Sequence, residues 1–314
     1  MNTITKKSEI LFLYETQYNI PNGDPFTGEQ RYDTETKKIL VSDVRMKRYV
    51  RSYLEDVKGL PIYVSEKTGV GKTDAKGVLN WIVANRNDEG LTDIGEILKK
   101  QVDVRLFGGI STLGDDAKKI KVGKETCTNG HVQFTGPVQF ALLNPSLNSV
   151  DLRMHQNTTH FTSKAGNAQG SIGTTTIVPY SLVQIHGWIN PKVAETTALS
   201  SEDIKLMYEG LWYGTSGDGS SHSRSKIGQN SVLLLELEYV EANRKIYGVE
   251  RLISLNPNEG KREEDIRNMD DYTLDFHRLI EVANSDKVSK VKYYTEIDAI
   301  KKLLQGPKFE FMEL

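Results

Sequence analysis

Cysteine is nearly absent from this sequence: Cys127 is the only one in 314 residues. A single thiol closes no intrachain disulfide and builds no cysteine-based zinc finger, and such scarcity fits a reducing cytosol. Long apolar runs are missing as well. The first, Ile10 to Tyr14, is too short for the core of a signal peptide, and nothing approaches the roughly 18 apolar residues of a membrane helix. These absences predict a cytoplasmic protein with no membrane partner. There is also no excess of charge of either sign: 40 Lys and Arg against 42 Asp and Glu leave a net charge of −2. A polyanion site must therefore be a local patch and not the field of the whole molecule. What is present, 38% hydrophobic and 26% charged residues, describes an ordinary folded chain long enough for one large domain or two small ones.

Charge is segregated along the chain. Residues 31–51 are strongly basic, whereas acidic groups gather late, around 263–267 and at Asp270 and Asp271. Periodicity supplies the elements. Ile10, Phe12, Tyr14 and Tyr18 alternate onto one side of a first strand, and the turn NIPNGDPFTG ends it. Ser42 is placed to cap a helix in which Asp43 suits the positive end. Met46, Tyr49, Val50, Tyr53 and Leu54 then form an apolar stripe, leaving Arg45, Lys47, Arg48 and Arg51 pointing sideways or outward. The stretch GHVQFTGPVQFALLN alternates Val132, Phe134, Val138, Phe140 and Leu142 on one face and reads as the clearest strand.

A polar stretch follows at 152–176, then a strand over 177–190. A helix opens at Ser200 with Asp203 three residues on, and its stripe is Ile204, Met207, Tyr208, Leu211 and Trp212. Beyond a glycine- and serine-rich segment comes a strand over 231–240, and the charged tail suggests helices over 270–283 and 296–304. The resulting expectation is an α+β protein with a βαββαβ core of the RNA-recognition-motif or ferredoxin-like kind. That core spans 1–56 and 126–245. An inserted helical subdomain covers 57–125, a loop or hairpin projects at 152–176, and a helical extension at 246–314 packs on the core.

Several residues bear on chemistry. The cations of the first helix are either a solvated face or a phosphate contact. Arginine's planar fork, the helix N-terminus beside it and Arg31 in the preceding loop favour phosphate. The sequence GVGKT at 69–73 is not a phosphate loop, because Glu66 stands where the opening glycine belongs. His155 and His160 would suit an acid/base pair or a metal, yet no third ligand is near, which favours a surface or RNA-contacting role. Phe161 either packs locally or stacks on bases. Arg224, Ser225, Lys226, Gly228 and Gln229 form either a plain connection or a loop whose amides and cations approach a phosphate. Asp33 reads as a turn residue. No cofactor and no metal are expected.

The combination of NIPNGDP, the pair Arg31 and Asp33, VSDVRMKRYVR and DVRLFGG resembles the backbone subunit of the CRISPR Cascade complex. This is the Cas family numbered seven, in its type I-B form and Csh/Csd-like subgroup. The resemblance implies a hand-shaped, RNA-recognition-type subunit that lines up in several copies along one CRISPR RNA and presents its spacer to target DNA. Its partners would be the CRISPR RNA, target DNA through the guide, homotypic neighbours and other Cascade subunits. It further implies that Lys47 and Arg48 grip guide phosphates with Asn22, Arg31, Ser42, Arg45 and Arg51 as neighbours. His160, Phe161 and Lys164 would lie on the thumb, and Arg224, Ser225, Lys226 and Gln229 on the glycine-rich loop before the last core strand. A holder of any guide should contact phosphate and ribose and leave base edges open, which suits a nearly neutral subunit with a few cations. The expected role is non-catalytic. The alternatives are an endoribonuclease of the related type III kind using Asp33, and a monomeric RNA-binding protein.

Overall fold

The apolar run SEILFLYE sits in a strand, β1 (Ser8–Asn19), whose two faces are both buried as far as Tyr14. The computed structural model describes residues 4–65, 75–87, 89–158, 172–217 and 226–314. His160, Phe161, Lys164, Arg224, Ser225 and the GVGKT stretch lie outside the described residues. A short hairpin, β2 (Tyr32–Asp33) and β3 (Lys38–Ser42), leads into helix α1 (Asp43–Asp56). The next part of the chain holds α2 (Ala75–Arg86), α3 (Ile94–Lys99), α4 (Val102–Phe107), β4 (Gly108–Thr112), β5 (Lys121–Val122) and β6 (Glu125–Thr126). Then come β7 (His131–Thr135), β8 (Val138–Phe140), β9 (Leu143–Pro145), β10 (Arg153–Thr158) and the long β11 (Ile172–Ile189). Helices α5 (Pro191–Thr197) and α6 (Ser201–Ser216) precede β12 (Gln229–Tyr239). The tail contains β13 (Ser254–Pro257), β14 (Tyr272–Asp275), α7 (His277–Ala283), β15 (Val288–Tyr294), α8 (Asp298–Leu303) and β16 (Phe309–Phe311).

The mixed α+β architecture centres on one sheet in the order β10-β11-β1-β12-β15-β16, with β8 pairing the end of β11. Its pairs are antiparallel except β15 with β16. One face, carrying Ile10, Phe12 and Tyr14, packs under the stripes of α1 (Met46, Tyr49, Val50) and α6 (Met207, Leu211, Trp212). The opposite face, carrying Leu11 and Leu13, packs against Leu252, Phe276, Leu279 and Ile300 from the tail. A strand paired on both edges and covered on both faces is a continuous apolar run, not an alternating one. Two glycines bring the helices together: a Cβ on Gly210 would lie 3.1 Å from the Val50 Cα, and one on Gly214 only 2.7 Å from the Tyr49 carbonyl oxygen. The start of α6 is held by the reciprocal Ser200 and Asp203 cap that the sequence predicts.

Three expectations change. Tyr18 leaves the row of Ile10, Phe12 and Tyr14: its backbone is left-handed (φ 45°) and its ring points to solvent. The stretch 131–145 is three strands and not one. The break at Gly136-Pro137 sends β7 to pair with β4, β8 with β11 and β9 with β3, and Leu142 is exposed. The tail is not simply helical, because Tyr272–Asp275 is a strand before α7, and β15 and β16 extend the central sheet. In β15 the inward Val288, Val291 and Tyr293 are separated by lysines, which gave the segment a charged, helix-like composition. The motif DVRLFGG, to which the periodicity assigns no element, is a helix running into a strand. Gly108 there has φ 79° and no room for a Cβ, which would come within 2.3 Å of the Phe134 carbonyl oxygen.

Helix α4 is clasped on both sides. Asp103, fully buried, accepts from Arg51 Nε at 2.8 Å and from the backbone amides of Tyr63 (2.7 Å) and Val64 (3.2 Å). Two residues on, Arg105 makes a bidentate pair with Asp203 at 2.9 and 2.6 Å. A separate apolar cluster containing Tyr63, Leu79, Ile82, Ile97, Leu98, Ile120 and Cys127 lies under α2 and α3. Among the described residues no helix is long and apolar enough to cross a membrane.

Candidate nucleic-acid interface

The turn that closes β1 organises the start of α1. Asn22 is buried, and its Oδ1 accepts from the Ser42 amide (2.7 Å) and the Ser42 hydroxyl (2.9 Å). Ser42 therefore occupies the N-cap position without capping: its hydroxyl is turned to Asn22 and makes no bond to the helix amides. Asp24 folds the following loop, taking the Phe26 amide on Oδ1 at 2.9 Å and pairing with Arg31 Nη1 through Oδ2 at 3.0 Å. Phe26 at its tip is 96% exposed.

The cations of α1 divide into two groups, as 100° per residue requires. Lys47 and Arg51, one turn apart, lean toward α4. Lys47 pairs with Asp43 at 2.9 Å, Arg51 pairs with Asp103, and both lie over the Phe107 ring at 6.0 and 5.3 Å. Arg45 turns the other way. Its Nε donates to the Pro21 carbonyl and the Tyr49 hydroxyl, both at 3.0 Å, and its guanidinium lies 4.6 Å from the centre of the Tyr49 ring.

Three distant segments meet at Tyr49. The Lys226 ammonium sits 5.1 Å from the same ring, and the Gln229 amide lies 3.2 Å from the Tyr49 hydroxyl while donating to the Thr215 carbonyl at 3.1 Å. Each cation gains from the ring's negative face. Lys226 is only 5% exposed. Burial, then Arg45, lowers its pKa to about 8, with Asp56 acting in the opposite sense and Arg48 in the same one. Gly228 completes the turn at φ 84°, and a Cβ there would stand 2.8 Å from the Gln17 carbonyl oxygen. Positive charge is thus concentrated around Tyr49, and an anion bound beside it would raise the proton affinity of Lys226.

Asp33 lies in the β2–β3 turn. Its Oδ1 accepts from the Glu35 amide (3.0 Å) and its Oδ2 from the Thr36 hydroxyl (2.7 Å), and these bonds hold its carboxyl below the usual range. His155 is on β10 with an exposed side chain. Among the described residues no group of three His, Cys, Asp or Glu could hold a metal ion. Sequence reasoning did not bring Tyr49 into this cluster because its spacing marks it as core, which it also is. Its hydroxyl does not single it out, because Tyr53 on the same stripe carries one as well.

The family pattern described as CRISPR-associated protein Cas7 matches residues 6–277. A protein of that name from Haloferax volcanii is 29% identical over 289 residues, which cover 89% of this chain and 83% of that protein. Two solved chains share the fold: one from "CRISPR RNA-guided surveillance complex, pre-nicking" has a TM-score of 0.54 at 14% identity, covering 98% of this chain and 96% of that one. The other, from "CRISPR RNA-guided surveillance complex", has a TM-score of 0.51 at 15% identity, covering 98% and 95%.

Proposed function

Since this chain belongs to the CRISPR-associated protein Cas7 family, we propose that it is a non-catalytic backbone subunit of a type I-B Cascade-like complex in the cytoplasm. Copies assemble head to tail along a CRISPR RNA, hold its phosphates and present the spacer to target DNA beside the other Cascade subunits. The observation that carries this reading is the convergence of Arg45, Lys226 and Gln229 on Tyr49, with Arg48 close enough to act on Lys226. Such a site recognises charge and not base identity, as a holder of arbitrary guides must. Lys47, on the α4 flank of the same helix, offers a separate phosphate contact by exchanging Asp43 for a phosphate. Asn22 and Ser42 shape the site from behind, and Arg51 supports it through Asp103.

The order β12-β1-β11-β8 with α1 and α6 on one face supports a split βαβ core of the RNA-recognition kind. In this reading 57–125 is an inserted subdomain and 246–314 an extension of the core. The hairpin begun by β10 and β11 is the thumb, with His160, Phe161 and Lys164 crossing the guide, and Arg224 and Ser225 add to the Lys226 loop. The engagement of both Asp33 oxygens in a turn speaks for an idle Asp33 over a cleaving one.

Expression with a matching CRISPR array tests the proposal. A filament-sized particle with protected guide and intact complementary RNA is the expected result. Cleavage of that RNA, abolished by Asp33→Ala, would instead establish the endoribonuclease, and a monomer binding one RNA site the simpler binding protein.

The pKa of Lys226 gives a second prediction with a definite sign. The free folded protein loses this proton near pH 8, whereas the unfolded chain keeps it to about 10.4. Stability of the free protein should therefore rise with pH between those limits, because the unfolded state binds more protons there. RNA affinity should move the opposite way: full below pH 8, then falling by up to about tenfold per pH unit as the amine must be reprotonated on binding. Thermal melts and binding titrations from pH 6.5 to 9.5 measure both, and Lys226→Met should flatten both curves. Parallel trends would show that Lys226 does not meet the phosphate.

A further inference from the structure

We infer that Tyr18 is a stacking platform for a nucleobase at the rim of the Tyr49 site, a role that rests on the RNA-binding reading above. Three observations lead there. Tyr18 is a bulky residue held in the left-handed region at φ 45°, a conformation that L side chains adopt only under constraint. The ladder is interrupted at this point: Gln17 pairs with Tyr180 and Asn19 with Val178, while Tyr18 and Pro179 between them do not pair, and Pro179 has no amide hydrogen to give. The result turns a large ring out of a strand whose other members are mostly buried, leaving it 62% exposed.

The second observation is location. The residues on either side of Tyr18 are tied to the loop that carries Lys226: the Gln17 amide donates to the Gly228 carbonyl at 2.9 Å, and Asn19 Nδ2 donates to the Ile227 carbonyl at 2.6 Å. Tyr18 therefore lies about one strand spacing from the loop that carries the buried ammonium. Ile227, itself 76% exposed, extends the apolar surface beside it. The third observation is chemical fit. A cation cluster grips phosphate, and an exposed ring beside it offers a π-face to the base of the same or the next nucleotide. Stacking uses the flat face of the base and leaves its hydrogen-bonding edge open, which is what a guide must keep for pairing.

Binding of the full chain to a fluorescein-labelled oligoadenylate, and to the same ribose-phosphate chain lacking its bases, tests the inference. Tyr18→Leu should weaken oligoadenylate binding by about five- to hundredfold, while Tyr18→Phe, which keeps the ring, should bind as the wild type does. On the abasic chain all three proteins should bind alike. Equal binding of oligoadenylate by Tyr18→Leu and wild type would overturn the inference. So would an equal loss on both chains, which would mark a folding or backbone effect, or unchanged RNA affinity with shortened particles, which would mark a contact between subunits. Failure of the wild type to bind either chain would bring down the RNA-binding reading itself, a result separable from these.

Discussion

Reversing the charges of Arg45 and Arg48 together is expected to strip the protein of RNA while leaving it folded. Each contact between a guanidinium and a phosphate contributes about 1.5–3 kcal/mol, as hydrogen bonds to charged groups do. Losing two removes about 3–6 kcal/mol, on the order of a hundred- to ten-thousandfold in affinity. Arg45→Glu/Arg48→Glu should also reduce the slope of log affinity against log salt by about 1.4, since each phosphate contact on a single strand contributes about 0.7. Folding should largely survive. Arg45 donates to the Pro21 carbonyl and the Tyr49 hydroxyl from a half-buried position, and a glutamate there retains a cationic neighbour in Lys226. Circular dichroism and filter binding at two salt concentrations separate the cases. Retained RNA at moderate salt would show that the guide lies on another face, with the Lys47 flank the next to reverse.

Removing one carboxylate outside that site should have the largest effect on stability. Asp103 is fully buried and satisfies one guanidinium and two backbone amides. Asp103→Ala leaves Arg51 with a charge beside the apolar Phe107 ring and two amides without their acceptor. Breaking one side of such a pair typically costs 3–5 kcal/mol, a large share of the 5–15 kcal/mol that holds most domains. The urea midpoint measures it. Adding Arg51→Met should recover part of the loss, because the stranded charge goes with it. A cost below about 1 kcal/mol, or a double variant that simply adds the two single losses, would mean that water reaches the pair.

The apolar and basic spacing of residues 42–54 was sufficient to place α1 and to single out its cations, and the Ser200 and Asp203 pair marked the start of α6. What the spacing could not supply was the partner of each cation. Asp103 is 52 residues from Arg51 and Lys226 is 177 from Tyr49, so their pairing depends on which strands lie side by side. The tail misled for a related reason. Lysines alternate with Val291 and Tyr293 in β15, and only the finished sheet, with Glu236 and Glu238 on β12 facing Lys292, shows why charge is tolerated there. Tyr18 illustrates the opposite case. Its place in an alternating row predicts burial, whereas the ladder breaks there, opposite Pro179, 161 residues away on the neighbouring strand, and the ring is exposed.

Two of the outer strands of the central sheet, β10 and β16, bear on how such a protein survives crowding. At one margin stands β10, whose sequence RMHQNT is polar and exposed where it is described. At the other stands β16, three residues long. Unpaired strand edges are templates for uncontrolled sheet growth, and long apolar ones lead to aggregates. In the assembly proposed above, many copies on a single RNA would reach a local concentration far above that of the surrounding solution. The mostly polar β10 and the short β16 would then let such copies crowd together without joining sheet to sheet along those two edges.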